Sequence, residues 1–139
     1  MIFIIHMIDR IENKIAEIMR HYGFGECEAR IIAILALQGK MRAKEIAEKI
    51  GYAYSTVVNT LNFLRRTGFV IKEKEKKVYV YSTNLDFVKI IEEDRKRLSS
   101  LLNSLKEEII KAGENYKDKF SSFIFKIESA LKYLDKEVC

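Results

Sequence analysis

The stretch GYAYSTVVNTLNFLRRTGFV, residues 51–70, holds the side chains whose types and spacing best suit a chemical task. Ser55, Asn59 and Asn62 are short, polar and uncharged, on the helix face opposite Val57, Leu61 and Leu64. Their amides and hydroxyl donate and accept hydrogen bonds at once, as base-edge recognition requires. Asn pairs bidentately with adenine, and Val58 offers a methyl surface to thymine. Arg65 and Arg66 close the segment with charge suited to phosphate. A face that only met water would carry Lys and Glu, as other helices of this chain do.

Other chemistries lack their residues. Cys27 and Cys139 are far apart and His6 and His21 have no metal-ligand spacing around them, so neither a disulfide framework nor a local zinc motif is expected. Cys27 reads as a small buried helix residue. There is no Gly-rich phosphate loop and no nucleophile motif, which makes an enzyme the weakest class and leaves no expected cofactor. Hydrophobic content of 48% and charged content of 32% fit a folded globular protein.

The net charge of +5 is informative once it is located. Residues 1–40 and residues 84–139 each balance to zero. Residues 41–83 hold nine basic side chains against four acidic ones, so the whole excess lies in the central third. A segment that faces a polyanion has this asymmetry, because phosphate neutralisation supplies most non-specific nucleic-acid affinity.

The elements that must position these residues follow from periodicity. Ile8, Ile11, Ile15, Ile18 and Tyr22 make one apolar stripe on a first helix, broken by Gly23 and Gly25. Residues 26–37 form a second helix that is apolar nearly all round, the buried centre of the fold, ended by Gly39. RAKEIAEKIG is a short third helix with Ile46, Ala47 and Ile50 inward. Thr56, Val57, Val58 and Thr60 favour strand by propensity, but the helical spacing, the terminal Arg pair and Gly68 predict a helix over about 54–67. FVIKEKEKKVYVYS predicts a hairpin over about 69–82. Its turn lacks Gly and Asn, so a longer, mobile tip near Lys74–Lys77 is expected rather than a tight two-residue turn.

Beyond it, Thr83 or Asn84 is the expected cap of a helix reaching about Ala112, with Asp86 in its first turn. Leu98, Leu101 or Leu102, Leu105, Ile109 and Ala112 form a heptad-like stripe there. Phe120, Ile124, Ile127, Leu131, Leu134 and Val138 form a second one after Gly113. These stripes exceed what the small central unit can cover, so they need each other or a second chain. Tyr116, Phe120, Phe123, Phe125 and Tyr133 could cage a quaternary ammonium ligand, but at this spacing aromatics are more often core. MIFIIHMIDR lacks the basic start and cleavage site of a signal peptide, with Met7 an alternative start to Met1, and nothing reaches the roughly 18 apolar residues of a membrane span. A cytoplasmic location is the expectation.

Helix, turn, polar-faced helix and charged hairpin, in that order, make a winged helix-turn-helix. AKEIAEKIGYAYSTVVNTLNFLRRTGFV resembles the core of the MarR-like, GbsR-like and TrmB-like regulators of archaea and bacteria, and YGFGECEARIIAILALQG is similar to the helix that precedes it in the TrmB-like group. The resemblance covers residues 22–82. It implies a homodimeric transcription regulator on double-stranded DNA, with an effector, if any, of unknown identity. It implies groove-facing roles for Tyr54, Ser55, Thr56, Val58, Asn59 and Asn62, and a wing at Lys72, Lys74, Lys76 and Lys77. Two positions depart from the pattern: Ala53 replaces a common capping Ser, and Arg42 stands where Ser or Thr usually caps the third helix. A cation there costs about 0.3–1 kcal/mol unless it has a partner, either a DNA phosphate or solvent.

The expected architecture is therefore mainly α: a winged helix-turn-helix with a small β-hairpin wing at residues 1–83, and dimerising helices at residues 84–139. Leu98, Leu102, Leu105, Ile109, Phe120, Ile124, Ile127, Leu131 and Leu134 are the candidate dimer contacts. Arg42, Arg65 and Arg66 complete the DNA-contact set. The rival class is a winged-helix interaction adaptor, which would have no use for positive charge concentrated on helix and wing.

Overall fold

The computed structural model describes residues 2–113 and 118–136. Tyr116, Val138 and Cys139 lie outside the described residues. Six helices and one hairpin are described: α1 (Ile2–His21), α2 (Glu26–Gln38), α3 (Ala43–Ile50), α4 (Tyr54–Arg66), β1 (Ile71–Glu75), β2 (Val78–Ser82), α5 (Phe87–Lys111) and α6 (Ser121–Asp135). The mainly helical winged helix-turn-helix is thus present as expected. The chain divides into two compact units, Met1–Leu85 and Asp86–Cys139.

In the first unit α2 is the hub. Ile31, Ile32, Ile34 and Leu35 are buried on it, and it packs against α1, α3 and α4. Ile46 from α3 and Val57, Leu61 and Leu64 from α4 fill the same core, each contributing about 1.5–3 kcal/mol by leaving water. Phe24 and Phe69 meet edge to face, centroids 4.8 Å apart, and join the loop before α2 to the start of the hairpin. Cys27 is half-buried rather than enclosed, because the first turn of α2 stands at the rim of the core. α1 begins at Ile2, six residues before the expected stripe, and its side chains from Ile2 to Ile5 are exposed.

α4 is a helix in spite of its β-branched residues. The Thr60 hydroxyl donates to the Thr56 carbonyl at 2.8 Å, one turn back, so its polar group is satisfied within the helix. At the other end Thr67 donates to Phe63 O at 3.0 Å, and Gly68 takes φ +87°, which turns the chain toward the hairpin.

β1 and β2 pair antiparallel, Lys72 opposite Tyr81 and Lys74 opposite Tyr79. The strands run to Glu75 and resume at Val78, so the turn is Lys76–Lys77, a tight two-residue turn rather than the longer tip expected. Lys76 takes φ +58°, a left-handed conformation that costs a non-glycine residue about 1–2 kcal/mol. The strand pairing, with lysines over tyrosine rings, offsets that cost.

In the second unit Asp86 caps α5, its Oδ1 accepting from Val88 N at 3.0 Å and Lys89 N at 3.4 Å. Neither Thr83 nor Asn84 is the cap. The Thr83 hydroxyl donates to Phe69 O at 2.7 Å, so it closes the hairpin's base instead. α6 runs back along α5: Arg95, early in α5, donates to the carbonyls of Leu134 and Lys136 at the end of α6. A guanidinium there satisfies orphan carbonyls and complements the helix dipole. Lys106 and Glu128 pair across the two helices at 3.2 Å.

Candidate nucleic-acid interface

The inner face of α4 is anchored by Val57, Leu61 and Leu64, and this fixes the rotation of everything else on the helix. Ser55, Thr56, Asn59, Arg65 and Arg66 are exposed, while Val58 and Asn62 are half-buried at the flanks. Tyr54 stands 59% exposed at the first turn. Among the described residues, no side-chain hydrogen bond engages Ser55, Asn59 or Asn62, and no ion pair engages Arg65 or Arg66. Ser55 and Asn59 thus present their bonding capacity outward, and Asn62 part of its own. Ala53 provides no side-chain cap, so the first N–H groups of α4 are open to an anion. Phe63, also exposed, was not among the expected contacts, because its apolar type points inward by pattern alone.

Arg42 has a partner within its own helix. Glu45 Oε1 accepts from Arg42 Nε at 3.0 Å and from Arg42 N at 3.2 Å. The guanidinium bond, and then the backbone bond, hold the Glu45 carboxyl below its usual range. A carboxylate in the first turn thus offsets the cation at the N-cap, and a DNA phosphate would compete with it.

The wing sorts its charges by strand alternation. Glu73 and Glu75 both reach Lys40, at 3.2 and 2.9 Å, and hold its ammonium pKa above the ordinary lysine value. Next to Lys40, Met41 pairs with Tyr81 through two backbone bonds, Met41 N to Tyr81 O at 3.0 Å and Tyr81 N to Met41 O at 2.7 Å. On the opposite wing face the Lys72 Nζ lies 4.2 Å from the Tyr79 ring centroid, and the Lys74 Nζ lies 5.8 Å from it. Tyr79 is half exposed, so the lysines and the ring present one basic, aromatic surface. Lys76 and Lys77 stand exposed at the tip. Lys40 and Tyr79 were missed by the sequence reading. The alternation of KEKE and of VYVY carried the signal for the two faces, but no local signal placed Lys40 beneath the acids.

Of the candidate dimer residues, Leu98 and Leu105 are exposed, Leu102, Ile109, Phe120, Ile124, Leu131 and Leu134 are half-buried, and Ile127 is buried. Leu101, Ile110, Phe125 and Tyr133 are exposed beside them. Among the described residues no three His, Cys, Asp or Glu side chains gather as a metal site, and no helix is long and apolar enough to cross a membrane.

Residues 19–85 match the family described as the sugar-specific transcriptional regulator TrmB. Among solved structures, a transcriptional regulator superposes with a TM-score of 0.65 at 12% identity, over 91% of this chain and 89% of that one. TrmBL2, an archaeal chromatin protein described as having a novel mode of DNA binding, superposes with a TM-score of 0.60 at 18% identity. That match covers 81% of this chain but only 43% of TrmBL2, so the chain spans less than half of its length. The oxidized form of MarR from E. coli is also similar, with a TM-score of 0.47 at 12% identity over 89% of this chain and 90% of MarR. The order of the helices, the hairpin that follows the polar-faced α4 and the family match converge on one assignment: residues 19–85 form a winged helix-turn-helix similar to that of the TrmB family of transcriptional regulators.

Proposed function

We propose that the chain acts as a homodimer on double-stranded DNA, with α4 reading base edges in the major groove and the wing on the backbone or in the minor groove. The observation that carries this reading is the exposed face of α4 with Tyr54, Ser55 and Asn59, bordered by Arg65 and Arg66; among the described residues Ser55 and Asn59 have no side-chain hydrogen bond and the two arginines no ion pair. Asn59 and Ser55 supply discrimination, and Val58 meets a thymine methyl. Arg65, Arg66, Lys74, Lys76 and Lys77 supply salt-dependent affinity, and Lys72 joins them from beside Tyr79. Arg42 contributes where a phosphate displaces Glu45. Leu98, Leu105 and the exposed apolar residues beside them support pairing through α5 and α6, since a lone soluble chain rarely leaves such surface in water. A dimer of this kind reads two half-sites about 34–36 Å apart, or a multiple of that.

Fluorescence anisotropy with the DNA upstream of the chain's own gene, against scrambled duplex over a salt series, tests the reading. Tighter binding to the native duplex with a steep salt slope supports it. Equal and weak binding to both, together with capture of polymerase or chromosome proteins, would favour the adaptor instead.

A further inference from the structure

Within the first unit, α1, α2 and α3 line an open cleft of about 630 Å³, away from α4 and the wing. Its walls are chemically opposed. Asp9 and Glu12, one turn apart on α1, form one side; Arg30 of α2 and Lys49 of α3 form the other. Ile5 and Ile8 of α1 add exposed apolar surface to the cleft. The volume lies within the roughly 300–1,000 Å³ usual for small-molecule sites.

The charges in this cleft do not close on one another. Elsewhere in the same unit facing charges do: Lys40 meets Glu75 at 2.9 Å, Arg42 meets Glu45 at 3.0 Å, and Arg20 meets Glu26 at 3.1 Å. Among the described residues, no ion pair within 4 Å joins Arg30 or Lys49 to Asp9 or Glu12. The helices hold acids and bases apart across a cleft whose lining mixes Ile5 and Ile8 with the amides of Asn13 and Gln38. Burial, and then the neighbouring Asp9, push the Glu12 carboxyl above its ordinary range, against the pull of Arg30 and Lys49.

We infer that this cleft binds a small zwitterion with an apolar body, such as an apolar amino acid or short peptide, its ammonium on Asp9 and Glu12 and its carboxylate on Arg30 and Lys49. Neither charge of such a ligand can be dropped without leaving one wall unpaired. Because the site joins α1 to the helices of the DNA-binding motif, occupancy would act as an effector signal; that role rests on the regulator reading, whereas binding itself does not.

Isothermal titration of the full chain without DNA tests the site. The probes are L-leucine, L-phenylalanine and L-leucyl-L-leucine, compared with 4-methylpentanoate and 3-methylbutylamine, which keep leucine's apolar body and one charge each. At least one zwitterion should bind with a millimolar or tighter Kd, and each single-charge analogue should bind about tenfold more weakly than leucine. Glu12→Gln and Arg30→Gln should each lose about tenfold in affinity with an unchanged far-UV circular dichroism spectrum. The exposed pair Asp9→Asn and Lys49→Gln gives the same test should either of the first two fail to fold. No heat with any zwitterion at about 10 mM, analogues as tight as leucine, or affinity unchanged in the folded variants would overturn the assignment. A chain that binds a zwitterion but no DNA would sink the regulator reading and leave the cleft standing; the opposite pair of results would do the reverse.

Discussion

Asn59→Ala separates reading from folding, because the two effects carry opposite signs. In the folded chain Asn59 is exposed, and among the described residues its amide has no hydrogen-bond partner, so its removal breaks nothing inside the protein. Ala is the better helix former by up to about 0.7 kcal/mol, so the thermal midpoint should hold or rise by a few degrees. On the operator the same change removes a bidentate contact worth about 1–3 kcal/mol of discrimination. That is roughly a 5- to 150-fold fall in the ratio of native to scrambled affinity. Affinity for scrambled duplex should stay level, since Arg65, Arg66 and the wing lysines are untouched. Calorimetry measures the first effect and anisotropy at fixed salt the second. A specificity ratio that moves less than about twofold would refute base reading by Asn59. A midpoint that drops by several degrees would show that the side chain has a structural task instead.

Lys76→Gly relieves the left-handed turn residue and should raise stability by about 0.5–1 kcal/mol, while the salt slope of DNA binding flattens by about one unit; calorimetry and a salt series read the two. Leu61→Ala empties a fully buried position and should cost about 3–5 kcal/mol, seen as a lower denaturant midpoint with helicity lost from the first unit. The Arg42–Glu45 link depends on an ionised carboxylate whose pKa is lowered by that link. Its contribution is therefore present above the ordinary Glu range and lost as pH falls through the lowered value. In an NMR titration the amides of residues 43–45 should shift with that acid-side midpoint, and Glu45→Gln should abolish the transition.

The helices were legible because their causes are local. The apolar spacing of Val57, Leu61 and Leu64 outweighed the strand propensity of Thr56, Val58 and Thr60, since packing against α2 is worth more than the few tenths of a kcal/mol of propensity at stake. The polar face of α4 followed at once from its apolar one. What failed at close range was the backbone: Lys76 adopts a conformation its residue type disfavours, and Asp86, not Thr83, takes the cap because Thr83 is drawn to Phe69, fourteen positions back.

Type and order of residues determined by themselves that this is a chain of amphipathic helices with a charged hairpin, that its positive charge is concentrated there, and that one helix presents uncharged donors and acceptors. Periodicity and composition suffice for that, since each depends on neighbours within a turn or a strand. Only the tertiary structure decided that Lys40 gathers both wing acids from more than thirty residues away, leaving the lysines with Tyr79 on the other face. It alone brought Asp9, Glu12, Arg30 and Lys49 around one cleft without letting them pair. Those arrangements arise from how α1 and α3 lie against α2, and side-chain packing between distant segments leaves no periodic trace along the chain.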